Sequence, residues 1–68
     1  MDIQFISPGR AAELTSFSTR HLSRLVEQGS FPKPLRLGTG INGRLAFVEH
    51  EVRDWIRARL AERDAKAA

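Results

Sequence analysis

Ser7-Pro8-Gly9-Arg10-Ala11-Ala12-Glu13-Leu14-Thr15-Ser16-Phe17-Ser18-Thr19-Arg20-His21-Leu22-Ser23-Arg24-Leu25 holds two helix starts in close succession. Ser7 is an N-cap type of residue, and Pro8 falls at the first helical position, where a missing amide proton costs nothing. Ala11, Leu14 and then Phe17 follow an inward-facing spacing, so the first helix is short. Thr15-Ser16 breaks that pattern. Ser18 can then cap a second helix from Thr19 to Gln28, with Gly29 placed to end it in left-handed geometry. Two short helices around a tight turn make a helix-turn-helix.

On the second helix, at about 100° per residue, Leu22, Leu25, Val26 and Gly29 fall on one side. Arg20, Arg24 and Glu27 fall on the other, with Ser23 beside them. The apolar side is suited to packing and leaves the arginine side free.

Downstream, Phe31-Pro32-Lys33-Pro34 precludes helix and imposes an extended path. Leu35-Arg36-Leu37 alternates like a strand, Gly38 through Gly43 is rich in turn residues, and Arg44-Leu45-Ala46-Phe47 returns as a second strand. Asn42-Gly43 is a turn dipeptide within a loop longer than two residues. A last helix is expected from about Glu49 to Arg63, with Glu49, Glu51 and Asp54 near its positive N-terminal end. Its Val52, Trp55, Ile56 and Leu60 follow 3.6-residue spacing and are expected to supply much of the core. The predicted architecture is an α+β winged helix-turn-helix: two short helices, a β-hairpin wing and a C-terminal helix. Residues 1–6 read as an N-terminal arm, 7–63 as the domain, and 64–68 as a frayed tail without an apolar anchor.

With 68 residues the chain has room for one thin core and too little bulk for a buried catalytic cleft of ordinary size. Apolar residues at 41% and charged residues at 28% mark a globular chain. The net charge of +3 is unevenly placed. Residues 7–44 carry six basic and two acidic side chains, while residues 45–68 carry five of each. The positive field thus belongs to the helix-turn-helix and hairpin, where a polyanion would bind.

Other chemistries find little support. Cysteine is absent, which excludes a disulfide frame and a thiolate metal site. His21 and His50 are far apart, with no His-x-x-x-His pair, so no metal or other cofactor is expected. The serines lack a nucleophile elbow and no carboxylate pair marks a cleft, so an enzyme is not expected. Trp55 and Phe47 could stack on single-stranded bases, but their apolar neighbours assign them to the core. No apolar run is long enough to span a membrane, and the first residues lack the pattern of a signal peptide, so a cytoplasmic location is expected.

These residues resemble the AlpA family of small phage and prophage regulators, relatives of excisionases with a MerR-like winged helix-turn-helix. The likeness covers about residues 5 to 60. The family's helix-turn-helix pattern V-A-E-L-x-G-x-S-R-S-T-I-Y-R-L is met by Ala11-Ala12-Glu13-Leu14 through Ser18, Leu22, Arg24 and Leu25. Its G-x-F-P-x-P segment is met by Gly29-Ser30-Phe31-Pro32-Lys33-Pro34. Its closing W-x-E-S-E-V-x-x-W-I is met by Phe47 through Ile56. The departures are Ser16 for the usual Gly of the turn, Thr19-Arg20-His21 for Arg-Ser-Thr, Ser23 for Tyr, Phe47 for Trp, and His50 for the Ser that would cap the last helix. The changes on the second helix alter the side chains best placed to reach bases.

The resemblance implies a sequence-specific binder of double-stranded DNA, either a transcriptional regulator or an excisionase serving DNA recombination. In helix-turn-helix proteins the N-terminal part of the second helix enters the major groove, where an arginine can donate two hydrogen bonds to guanine. Thr19, Arg20, His21 and Arg24 are the candidates there, Arg20 foremost. Ser18 is the helix cap and a candidate phosphate contact. Lys33, Arg36, Thr39, Asn42 and Arg44 are candidates on the wing, for backbone or minor groove. Arg10 could meet phosphate where the first helix crosses the backbone. Integrase or RNA polymerase are candidate protein partners, and a monomer assembling cooperatively on repeated sites is expected, since no heptad region offers a dimer seam. The alternative is a protein-interaction module, a small phage inhibitor or adaptor using the same basic face on an acidic partner.

Overall fold

The computed structural model describes residues 3–38 and 44–67. It has three helices and a three-stranded antiparallel sheet, in the order β1 (Phe5–Ile6), α1 (Pro8–Thr15), α2 (Thr19–Glu27), β2 (Leu35–Leu37), β3 (Arg44–Val48) and α3 (Glu49–Ala67). This is the α+β winged helix-turn-helix arrangement that the sequence predicts.

Both caps of the helix-turn-helix form as expected. Ser7 Oγ accepts from the Arg10 N–H at 3.1 Å, and Ser18 Oγ accepts from the His21 N–H at 3.1 Å. The turn between them rests on Ser16, whose φ of 63° and ψ of 19° lie in the left-handed region. That conformation is cheap for Gly and costly for a residue with a Cβ. Thr15 secures the turn, donating its hydroxyl to the carbonyls of Ala11 and Ala12 and accepting from the Phe17 N–H. At the far end of α2, Gly29 takes a φ of 76°, its N–H donates to Val26 O, and the Ser30 N–H donates to Leu25 O. These two bonds are a Schellman closure.

Central strand β3 pairs with β2 through Leu35↔Ala46, Arg36↔Leu45 and Leu37↔Arg44, and with β1 through Phe5↔Val48 and Ile6↔Phe47. The β1 pairing differs from the expectation for residues 1–6, because Phe5 and Ile6 lie in the sheet instead of an arm. A two-residue strand is too short to show alternation, and its partner lies far along the chain. The pairing also starts α3: Gln4 O accepts from the Glu49 N–H at 2.8 Å, satisfying one of the helix's orphan donors where His50 stands in place of a capping serine.

The core cluster joins Ala11 of α1, Leu22 of α2, Phe31 of the linker, Phe47 of β3 and Val52 of α3, and Ala46 of β3 is buried as well. Leu14, Phe17, Leu25, Val26, Trp55 and Ile56 pack against it, half-buried. Phe31 meets Phe47 and Trp55 edge-on, at centroid distances of 5.5 and 5.0 Å.

One expectation for α3 is corrected. Leu60 is 44% exposed, because it borders an open groove with Leu14, Phe17, Trp55 and Ile56 instead of a closed core, and residues 57–66 are all exposed. The helix runs on to Ala67. Good helix formers carry this extension, aided by ion pairs Asp54–Arg57 at 3.0 Å and Arg59–Glu62 at 2.9 Å along the helix surface.

Candidate nucleic-acid interface

The Ser18 cap fixes where α2 begins and therefore which side chains crown its N-terminal turn. Leu22 is 1% exposed, and with Val26 and Leu25 it defines the side of α2 that packs. Arg20 and Arg24 stand on the opposite side and are exposed, with Ser23 and Glu27 exposed beside them. The Ser18 hydroxyl accepts the capping bond, and its own proton can still be donated, for instance to a phosphate.

His21 is turned differently. Its ring lies 4.6 Å from that of Phe17, tilted at 60°, and the residue is half-buried at the α1–α2 turn. It is therefore set on the flank of α2 away from the sheet, apart from the Arg20–Arg24 face. Thr19 lies on the other flank. It borders a cleft of about 240 Å³ between α2 and β3, lined mainly by Leu22, Ser23, Val26, Pro34, Leu45 and Phe47.

On the wing side, Lys33 is exposed between Pro32 and Pro34. Arg36 is paired with Leu45, so alternation puts it on the face that carries Leu45 and Phe47, toward α2. Arg44, paired with Leu37, is on the outer face of the same ribbon. The two wing arginines thus flank β2–β3 from opposite sides. Thr39 and Asn42 lie outside the described residues.

Ion pairing separates the cations into two sets. Arg10 pairs with Glu13 at 3.1 Å, and Arg53, Arg57, Arg59 and Arg63 each pair with a carboxylate on α3. Among the described residues, Arg20, Arg24, Lys33, Arg36 and Arg44 have no ion pair; Lys66, near the far end of α3, is the other such cation. Five unneutralised cations on α2, the linker and the wing form a positive surface, whereas the body of α3 balances its own charge. Arg10, grouped with them by sequence, is locally neutralised.

The sequence reading missed Leu45 and Pro34 as walls of the cleft beside α2. Strand alternation from Phe47 was the available signal for Leu45; nothing local marked Pro34. Among the described residues, no three His, Asp or Glu side chains gather as a metal site, and no helix is long and apolar enough to cross a membrane. The outer face of the sheet exposes Phe5, Leu35 and Leu37.

The family model described as prophage CP4-57 regulatory protein (AlpA) matches residues 5–60. No curated protein and no solved structure matches the chain.

Proposed function

This chain belongs to the AlpA family of prophage regulatory proteins, and on that premise we propose that it is a sequence-specific, double-stranded DNA-binding protein. It acts on transcription of prophage genes or, as a recombination directionality factor, bends attachment-site DNA during excision. The observation that carries this reading is the set of unpaired cations along α2, the linker and the wing, beside α3 whose arginines are all matched by carboxylates.

In this reading α2 enters the major groove. Arg20, in the first turn after the N-cap, donates to the O6 and N7 of guanine, and Arg24 reaches the next base or a phosphate. Ser18 and Thr19 meet the backbone at the helix start. Lys33, Arg36 and Arg44 brace the flanking backbone or minor groove. His21, against Phe17, steadies the turn. No side chain here is asked to do covalent chemistry, and no cofactor enters.

A single module of this kind buries only about 600–1,000 Å² of protein surface on DNA. Monomers are therefore expected to assemble cooperatively on repeated sites, with integrase or RNA polymerase recruited nearby.

The test is retention of sheared genomic DNA by the purified protein at about physiological ionic strength, where non-specific contacts are weakened, beside an Arg20→Ala, Arg24→Ala variant. One short repeated motif, enriched by the protein and lost in the variant, is the expected result. Its place at a promoter or an attachment site separates regulator from excisionase. Uniform, salt-labile retention refutes sequence-specific binding, and capture of an acidic protein that survives nuclease and is lost with both arginines then favours the interaction module.

A further inference from the structure

Ser30 is the residue at which the chain leaves α2 for the wing. Its N–H closes α2 by donating to Leu25 O at 2.9 Å. Its carbonyl accepts from the indole Nε1 of Trp55, on α3, at 2.7 Å. Ser30 is thereby held by α2 on one side and by α3 on the other. The Trp55 ring also meets Phe31 edge-on at 5.0 Å and Phe17 at 6.1 Å, so it neighbours the turn before α2 and the linker after it. The Arg59 guanidinium lies over the ring, 5.1 Å from its centroid.

Beyond Phe31 the chain has little freedom before the sheet. Pro32 and Pro34 keep the segment extended, and Leu35 opens β2. A change of direction at Ser30 therefore reaches Lys33 directly, and reaches Arg36 and Arg44 through the shift of β2 against β3, with which it is paired.

We propose that Trp55 is a positioning residue for DNA binding: its indole N–H on the Ser30 carbonyl sets the direction in which the wing leaves α2, and so the spacing between Arg20 and Arg24 and the wing cations. The proposal rests on the DNA-binding reading above. Burial alone would ask only for an apolar ring at this position. The hydrogen bond adds a directional constraint, because a carbonyl accepts best near the plane of its peptide.

Two variants remove the donor. Trp55→Phe keeps a ring against Phe17 and Phe31, and a synthetic chain with a benzothiophene in place of the Trp55 indole keeps the bicyclic shape. Affinity for the DNA fragment that the unaltered protein enriches most is measured from about 50 to about 200 mM salt. Residual dipolar couplings report the angle between α2 and β2–β3 in the free protein.

We expect the dependence of log affinity on log salt to become shallower by about 0.9 for each wing cation that no longer reaches a phosphate, and by about 2.7 if Lys33, Arg36 and Arg44 all disengage. Discrimination at the base pair read by Arg20 should persist, the β2–β3 angle should change, and Arg36→Ala should cost fewer fold in the isostere than in the unaltered chain. An isostere with unchanged salt slope and wing angle, and only a lower melting temperature, overturns the proposal and leaves Trp55 as packing. An unaltered protein that retains no DNA refutes the DNA-binding reading itself, and this role with it.

Discussion

Ser16→Gly should stabilise the protein. Ser16 holds the left-handed conformation, with a φ of 63°, at the junction that sets α2 against α1. It is exposed, and its backbone N–H reaches Glu13 O at 3.4 Å, a bond that Gly can make equally well. Left-handed geometry costs a residue with a Cβ about 1–2 kcal/mol. Glycine gives back about 0.4–1 kcal/mol through the greater freedom of its unfolded chain. The net gain centres on about 0.8 kcal/mol, within about 0–1.6, and at its centre raises the melting temperature of a domain of this size by about 3–6 °C. Helical circular dichroism during heating, with a denaturant titration to check that the m-value is unchanged, measures it. Gly29→Ala is the matched control of opposite sign, since Gly29 holds a φ of 76° in the Schellman closure of α2; it should lose about 1 kcal/mol. A Ser16→Gly chain that melts at or below the parent temperature would refute the strain assigned to this turn.

Ser18→Ala removes the cap on α2 and should cost about 1 kcal/mol, read as a lower denaturant midpoint, with a further loss of DNA affinity if the hydroxyl also meets phosphate. Phe31→Ala empties a 4%-exposed site between Phe47 and Trp55; the usual cost of about 3–5 kcal/mol is comparable to the whole stability of a small domain, so loss of the cooperative thermal transition is expected. Arg20→Ala should cost about 1–3 kcal/mol at one base pair and relax the preference there, while Arg36→Ala should weaken binding to all sequences alike and lower the salt slope by about 0.9; affinities on a panel of single-base variants at two salt concentrations separate the two. Arg57→Ala, which breaks an exposed pair with Asp54, should leave the melting temperature within the effect of about 0.5 kcal/mol.

Much of the fold could be read locally. Ser7-Pro8 and Ser18 announce helix starts through side chains that bond within three residues, and Gly29 announces a stop through its own backbone freedom. Leu35–Leu37 and Arg44–Phe47 announce a ribbon by alternation around a Gly-bounded turn. Leu60 obeyed the helical period and still misled, because periodicity assigns a face and does not tell whether another element lies opposite it. The N-terminal segment misled for the converse reason: Phe5 and Ile6 look like any short apolar pair until β3 supplies the partner strand.

The candidate interface divides in the same way. Composition along the chain already placed the positive surplus between residues 7 and 44, and the helical period already set Arg20 and Arg24 against the apolar stripe of α2. Neither could tell a free cation from a neutralised one. That distinction depends on distances between side chains: Arg10 finds Glu13, whereas Arg24, equally able to meet Glu27 by spacing, does not. His21 likewise sits on α2 by number and against Phe17 by geometry. Caps, turns, periodicity and charge density are written within a few residues of themselves, so the chain alone carries the elements, their order and the basic half of the domain. The strand partner of Phe5, the bond from Trp55 to Ser30, the faces taken by Arg36 and Arg44 and the set of unpaired cations each depend on how the folded chain places its side chains, and they exist only once folding has set those residues against their neighbours.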